Sequence, residues 1–276
     1  MQILINGLKT NRAFAVSSFF VLLLIAVALA APLIAPYDPL EAVMQNAYLP
    51  PSAEHLFGTD KLGRDNFSRI LYGASYSLSS VLLLVTIIFI VGTTLGVLAG
   101  YYGGKVDIVI MRISDMMISF PGMILAIAVA GILGGSLINA IIALTIVTWT
   151  KYARLARGMV LKIKKRDFVE AAIVNGGTST HILWKHILPN ILPLMVITAA
   201  SDIGAMMMEL AGLSFLGFGS QPPAPEWGLM LNEGRQQLQT APWLMIFPGL
   251  AIFVTVVIFN LWGDALRDIL DPRQEE

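Results

Sequence analysis

Three carboxylates fall within or beside long apolar runs: Asp115, Asp202 and Glu209. A charge at membrane depth costs ~2.5–3.5 kcal/mol on insertion scales, so such residues mark pathways or inter-helix pairs. Asp202 and Glu209 stand seven residues apart, two turns along one helix face. The functional expectation is a cation-attracting lining built from Asp115, Asp202, Met206 and Glu209. The structural alternative is inter-helix pairing, for instance with Arg112. An aspartyl intramembrane protease needs two carboxylates on facing helices sharing a proton. Asp202 and Glu209 share one helix, which argues against that chemistry. The sequence also lacks a Gly-x-x-x-x-Gly-Lys-Ser/Thr phosphate loop. Gly103-Gly104-Lys105-Val106 misses both the first glycine and the hydroxyl, so ATP chemistry is not expected from this chain. No catalytic residue is expected, and no cofactor. Metal ligation stays unassigned. Methionine is more often a core filler than a ligand. His55, His181 and His186 lie outside the apolar runs and are not spaced as a site, and there is no cysteine.

The elements that position these groups are membrane spans. Of 276 residues 56 % are hydrophobic and 13 % charged, with mean hydropathy +0.74. Soluble domains carry roughly 25 % charged residues. The chain is therefore read as an all-α integral membrane protein, since helices satisfy their own backbone in lipid and the runs are too long for barrel strands. Net charge is zero, so no nucleic-acid partner is implied and membrane lipid is the surrounding medium. A span needs about 20 apolar residues. Six transmembrane helices are expected: 13–35, 75–99, 106–133, 137–150, 191–218 and 243–262. The first apolar run, 13–31, is too long for a signal-peptide core and reads as an uncleaved span. Glycines 92, 96 and 100 form a stripe that permits close helix packing. With the N-terminus inside, 14 Lys and Arg residues fall on the inner side and 4 on the outer. That asymmetry places both termini and the loop 151–190 in the cytoplasm. The expected division is an N-terminal span and periplasmic segment, 1–72, and a transmembrane core carrying the loop 151–190, 73–276.

Eight of the 18 Lys and Arg residues sit in that loop, from Lys151 to Lys185. It reads as two short helices. Asp167 is expected to cap the first, with Glu170 reaching back in a capping box. Asn175-Gly176-Gly177 supplies left-handed positions for its C-cap. Thr178 or Ser179 starts the second, which must stop or kink near Pro189. Ala171 and Ala172 leave a low surface for a partner.

These residues resemble a family. Glu170-Ala171-Ala172, then Gly176 and Gly177, then Leu188-Pro189 are similar to the EAA signature of bacterial ABC importer permeases. His186-Ile187-Leu188-Pro189-Asn190 resembles the dipeptide, oligopeptide and nickel branch. So do His55-Leu56-Phe57-Gly58-Thr59-Asp60, Gly63-Arg64-Asp65, Ala211-Gly212-Leu213-Ser214-Phe215-Leu216-Gly217 and the C-terminal Asp271-Pro272. The resemblance implies a type I ABC importer permease (MetI-like) fold in the bacterial inner membrane. It implies that Glu170, Ala171, Ala172, Gly176, Gly177, Leu188 and Pro189 couple the chain to an ATPase. The implied partners are a second, homologous permease, two cytoplasmic ATPases that hold ATP and Mg, and a periplasmic or lipid-anchored binding protein.

Around Asp202 and Met206-Met207 the chain looks more like nickel-importing members, so nickel, as ion or chelate, is the expected substrate. Import of di- or oligopeptides is the alternative. An ion-gradient-driven secondary transporter is a remote one, since it predicts inverted repeats that are not evident.

Overall fold

The computed structural model describes residues 11–270. Lys9, Arg273 and the Asp271-Pro272 pair lie outside the described residues. Helix α1 (Arg12–Ile34) is capped by Asn11, whose side chain accepts from the Phe14 N–H at 3.1 Å. A polar segment follows and leads into α2 (Asn66–Tyr102). Asp65 caps α2 by accepting from both the N–H and the hydroxyl of Ser68, each at 2.7 Å. The 72/73 division therefore falls inside α2. Gly103, at φ +64°, ends it.

The expected third span is broken. α3 (Gly104–Ile118) and α4 (Gly122–Leu133) meet at 95°. The cause is local: Pro121 has no N–H to continue the ladder, and Ser119 and Phe120 turn in its place. Gly134 and Ser136 then close α4 and open α5 (Leu137–Ile163), with the Ser136 hydroxyl accepting from the Asn139 N–H.

Helix α5 does not end at Thr150 as expected. It runs 13 residues further, through the basic positions Lys151, Arg154 and Arg157. The glycine stripe explains the extension. A Cβ at Gly92 would lie 2.5 Å from Tyr152 Cβ, and one at Gly96 would lie 2.3 Å from the Ala153 carbonyl oxygen. α2 thus holds α5 at near backbone contact along Trp149, Ala153, Ala156 and Val160. Packing, not charge, decides where α5 stops.

Helix α6 (Asp167–Val174) and α7 (Ser179–Ile182) follow, then a π turn (Leu183–Ile187) and α8 (Leu188–Phe215). Of the expected stop or kink near Pro189, the stop is absent: Ser179–Phe215 is one 37-residue helical run, irregular just before the proline. The π turn is the physical reason. Leu188 donates to the Leu183 carbonyl, five residues back, which widens the turn where the proline ring must pass. α9 (Trp227–Gly234) and α10 (Trp243–Leu270) complete the chain. Among the described residues four helices are long and apolar enough to cross a membrane, or five if the bent α3–α4 pair counts as one. The shortfall from six lies in α5, whose second half is charged.

Candidate functional site

The Lys151–Asn190 segment is helical over most of its length, and its free-standing part is α6 and α7. An eight-residue helix is marginal alone, so this one needs anchors. Val169 supplies one, with no exposed surface, which contributes about 1.5–3 kcal/mol. Ile182 and Ile187 are buried beside it in the same apolar cluster. The expected capping box does not form. The N-cap is Arg166, extended at φ −86°, and it makes no side-chain bond; Asp167 is already helical. Asp167 and Glu170 instead place two carboxylates in the first turn, where the helix dipole favours them.

The C-terminus of α6 closes as expected. Gly176, at φ +79°, donates to Ile173 O, and Gly177 donates to Ala172 O, both at 3.0 Å. That is a Schellman motif. A Cβ on Gly177 would sit 2.7 Å from the same Ala172 oxygen. Thr178 caps α7 by accepting from the His181 N–H. The outward surface is apolar and angular. Phe168, Ile173, Val174 and Trp184 all face out, Val174 at 86 % exposure and Trp184 at 69 %. Glu170 and Ala171 share that exposed surface, as does Pro189, while Ala172 and Leu188 are half-buried.

The four lining residues fare differently from one another. Asp202 is buried and paired. Lys151 Nζ donates to its two carboxylate oxygens at 2.7 and 2.8 Å, and the Tyr152 hydroxyl donates at 3.0 Å. Its base is Lys151, not Arg112. Met206 is 5 % exposed and belongs to the apolar core. Asp115 accepts from Arg154 at 2.6 Å, beside a bidentate Asp107–Arg157 pair. These two pairs clip α3 to α5. Glu209 alone is left over. It is half-buried, and no hydrogen bond or ion pair engages it among the described residues. It lines a cavity of about 340 Å³ with Met117, Phe120, Gly122, Thr148 and Lys151, next to the α3–α4 break. Lys151 binds Asp202 and borders the cavity of Glu209.

A third polar cluster joins the segment before α2 to α9. Arg64 donates to Asp60 at 2.6 Å and Arg69 to Glu233 at 2.9 Å, with both arginines at 2 % exposure or less. His55 Nδ1 lies 2.9 Å from Asp65. Buried arginines without partners would be expensive, so Glu233 completes the cluster. It sits 164 residues from Arg69, and no local pattern announces it. Glu226 is a further missed residue. Its side chain accepts from the N–H groups of Gly228 and Leu229 and starts α9. Burial pushes its carboxyl above the usual range, against the pull of those hydrogen bonds.

A bundle of membrane-length helices cross-linked by ion pairs, with one end-capped helical element outside it, defines a polytopic membrane protein. The chain belongs to the family described as binding-protein-dependent transport system inner membrane component, which matches residues 92–276. Residues 1–51 match the N-terminal transmembrane domain of oligopeptide transport permease C. The chain is 45 % identical to the dipeptide transport system permease protein DppC of Alkalihalophilus pseudofirmus, over 97 % of this chain and 88 % of that protein. It is 47 % identical to the glutathione transport system permease protein GsiD of Pectobacterium atrosepticum, over 93 % and 86 %. It is 42 % identical to the probable D,D-dipeptide transport system permease protein DdpC of Escherichia coli K12, over 96 % and 89 %. The fold resembles that of the MetNI methionine ABC transporter, inward-facing, with a TM-score of 0.58 at 21 % identity over 74 % of this chain and 97 % of that one. This is an inner-membrane, multi-pass ABC importer permease. It transports, and a separate ATPase supplies the energy. The ion-gradient alternative falls with that membership.

Proposed function

We propose that this permease imports di- or oligopeptides. The observation that carries the reading is the agreement of its relatives: the names of three, from three genera, are dipeptide, glutathione and D,D-dipeptide permeases. The nickel expectation finds no support in those names. It also lacks a ligand set, since no three His, Cys, Asp or Glu side chains gather among the described residues.

In this reading α6 and α7 form the coupling element, and the groups that meet the ATPase are Glu170, Ala171, Ala172, Ile173 and Val174. Gly176 and Gly177 hold the end of α6, and Leu188 and Pro189 join it to α8. Motion of α6 passes directly into the 37-residue rod that carries Asp202 and Glu209. A second permease, a pair of ATPases and a substrate-binding protein complete the complex. Helix α5 is the sixth crossing, and both termini and α6 face the cytoplasm.

One experiment tests both topology and substrate. The chain has no cysteine, so Val174→Cys gives a single label site. In sealed vesicles stripped of the ATPases, an impermeant thiol reagent should label it only from the cytoplasmic face, and wild-type vesicles of the full complex should take up dialanine but not Ni²⁺. Labelling from the outer face overturns the coupling assignment. Nickel uptake without peptide uptake overturns the substrate.

A further inference from the structure

Among the described residues, the half-buried Glu209 is the one of Asp107, Asp115, Asp202 and Glu209 that no base engages. Asp107, Asp115 and Asp202 are each paired, with Arg157, Arg154 and Lys151. Lys151 therefore brings no uncompensated charge to the cavity it shares with Glu209. Counted with Asp202 behind it, the ionised Lys151 and Glu209 pair leaves one net negative charge at the cavity. Residues of this kind at membrane depth pair with a base or face a wet cavity. Glu209 has no base, and its cavity of about 340 Å³ is roughly eleven water volumes at about 30 Å³ each. That is room for the end of a short peptide with some of its water. The cavity opens beside the Pro121 break, between α3, α4, α5 and α8, and its polar wall is Thr148, Thr150 and Lys151. The Thr150 hydroxyl already donates to Val147 O. The remaining strong acceptor facing the space is the Glu209 carboxylate.

We infer that Glu209 forms a transit subsite for the terminal ammonium group of a peptide in passage. A carboxylate accepting from an ammonium makes charge-assisted hydrogen bonds, about twice as strong as neutral ones. Asp202, held by Lys151 and Tyr152, keeps the Lys151 ammonium from closing onto Glu209. The neighbouring pair thus holds the subsite open. The inference rests on the peptide reading above and names the chemical group that this site takes.

The test uses the complete complex in proteoliposomes with its binding protein. Dialanine is the probe, because its only cation is the terminal ammonium and side-chain amines are excluded. Wild type, Glu209→Gln and Glu209→Asp are compared for uptake and for ATP hydrolysis stimulated by the loaded binding protein. Glu209→Gln should lower uptake roughly 10- to 100-fold, the worth of a hydrogen bond to a charged group. Stimulated hydrolysis should stay within about twofold of wild type, because the coupling element is untouched. Glu209→Asp should recover much of the uptake. Wild-type uptake in Glu209→Gln overturns the inference. So does loss of stimulated hydrolysis together with uptake in both variants, which marks a structural role. A wild-type complex that imports no dialanine refutes the peptide reading itself, and that is read before any variant is compared.

Discussion

Gly96→Ala and Gly158→Ala make the same chemical change inside two helices and should move stability in opposite directions. A Cβ at Gly96 meets the Ala153 oxygen at 2.3 Å, and Ala153 Cα and Ala156 Cβ at 2.8 Å. Ordinary contact begins at 3.4 Å, so α2 and α5 must part by about 1 Å locally. Two of the three opposing atoms are backbone and cannot rotate away. Overpacking of this kind costs about 1–3 kcal/mol. The gain in helix propensity returns up to ~1 kcal/mol, which leaves a net loss on the order of 1–2 kcal/mol. A Cβ at Gly158, on α5 itself, meets nothing within 4 Å. There only the propensity gain remains, so the variant should be neutral or more stable by up to ~1 kcal/mol. The two variants should differ by about 2 kcal/mol, or roughly 4–8 °C in Tm for a chain near this size. Thermal unfolding of the purified protein in detergent measures the gap. Gly96→Ala should also slow peptide uptake more than Gly158→Ala, because α5 carries α6. A Gly96→Ala protein as stable as Gly158→Ala would refute the claim that backbone contact with α2 sets the length of α5.

Two further outcomes follow from single positions. Gly176 takes φ +79° and donates to Ile173 O; Gly176→Asn should keep most uptake at a cost of about 1 kcal/mol, whereas Gly176→Pro removes the donor and fixes φ near −65°. Gly176→Pro should abolish peptide uptake with the protein still inserted, and undiminished uptake would sink the coupling assignment. Burial raises the Glu226 carboxyl above its ordinary range, so the folded state keeps that proton to higher pH than the unfolded chain. The resulting stability is present below the ordinary glutamate value and is lost as pH rises through the raised one. Across that window Tm of the wild type should fall relative to Glu226→Gln, and a difference that does not change with pH would contradict the buried setting.

Turn and C-cap chemistry was legible in the sequence, the Asp167–Glu170 capping box was misread by one position, and long-range pairing was not legible at all. Asn175-Gly176-Gly177, Thr178 and Gly134-Gly135-Ser136 act where they stand, and each does in the fold what its residue types dictate. The Pro121 break was legible in principle, but an uninterrupted hydropathy run concealed it. Lys151, Arg154 and Arg157 read as the start of a basic loop because charge ordinarily ends a span. Here each is mid-helix, with its carboxylate 51, 39 or 50 residues away. No window of sequence contains both halves of such a pair. The same three cations also entered the count behind the orientation. Setting them aside takes the inner total from 14 to 11, against 4 outside, two of which are the buried Arg64 and Arg69. The asymmetry therefore survives, as it should, because acidic partners contribute little to orientation. Cations that orient a chain and cations that pair within it are the same residue types. Only the fold separates them, and among the described residues it is this separation that leaves Glu209 without a base while Asp107, Asp115 and Asp202 each have one.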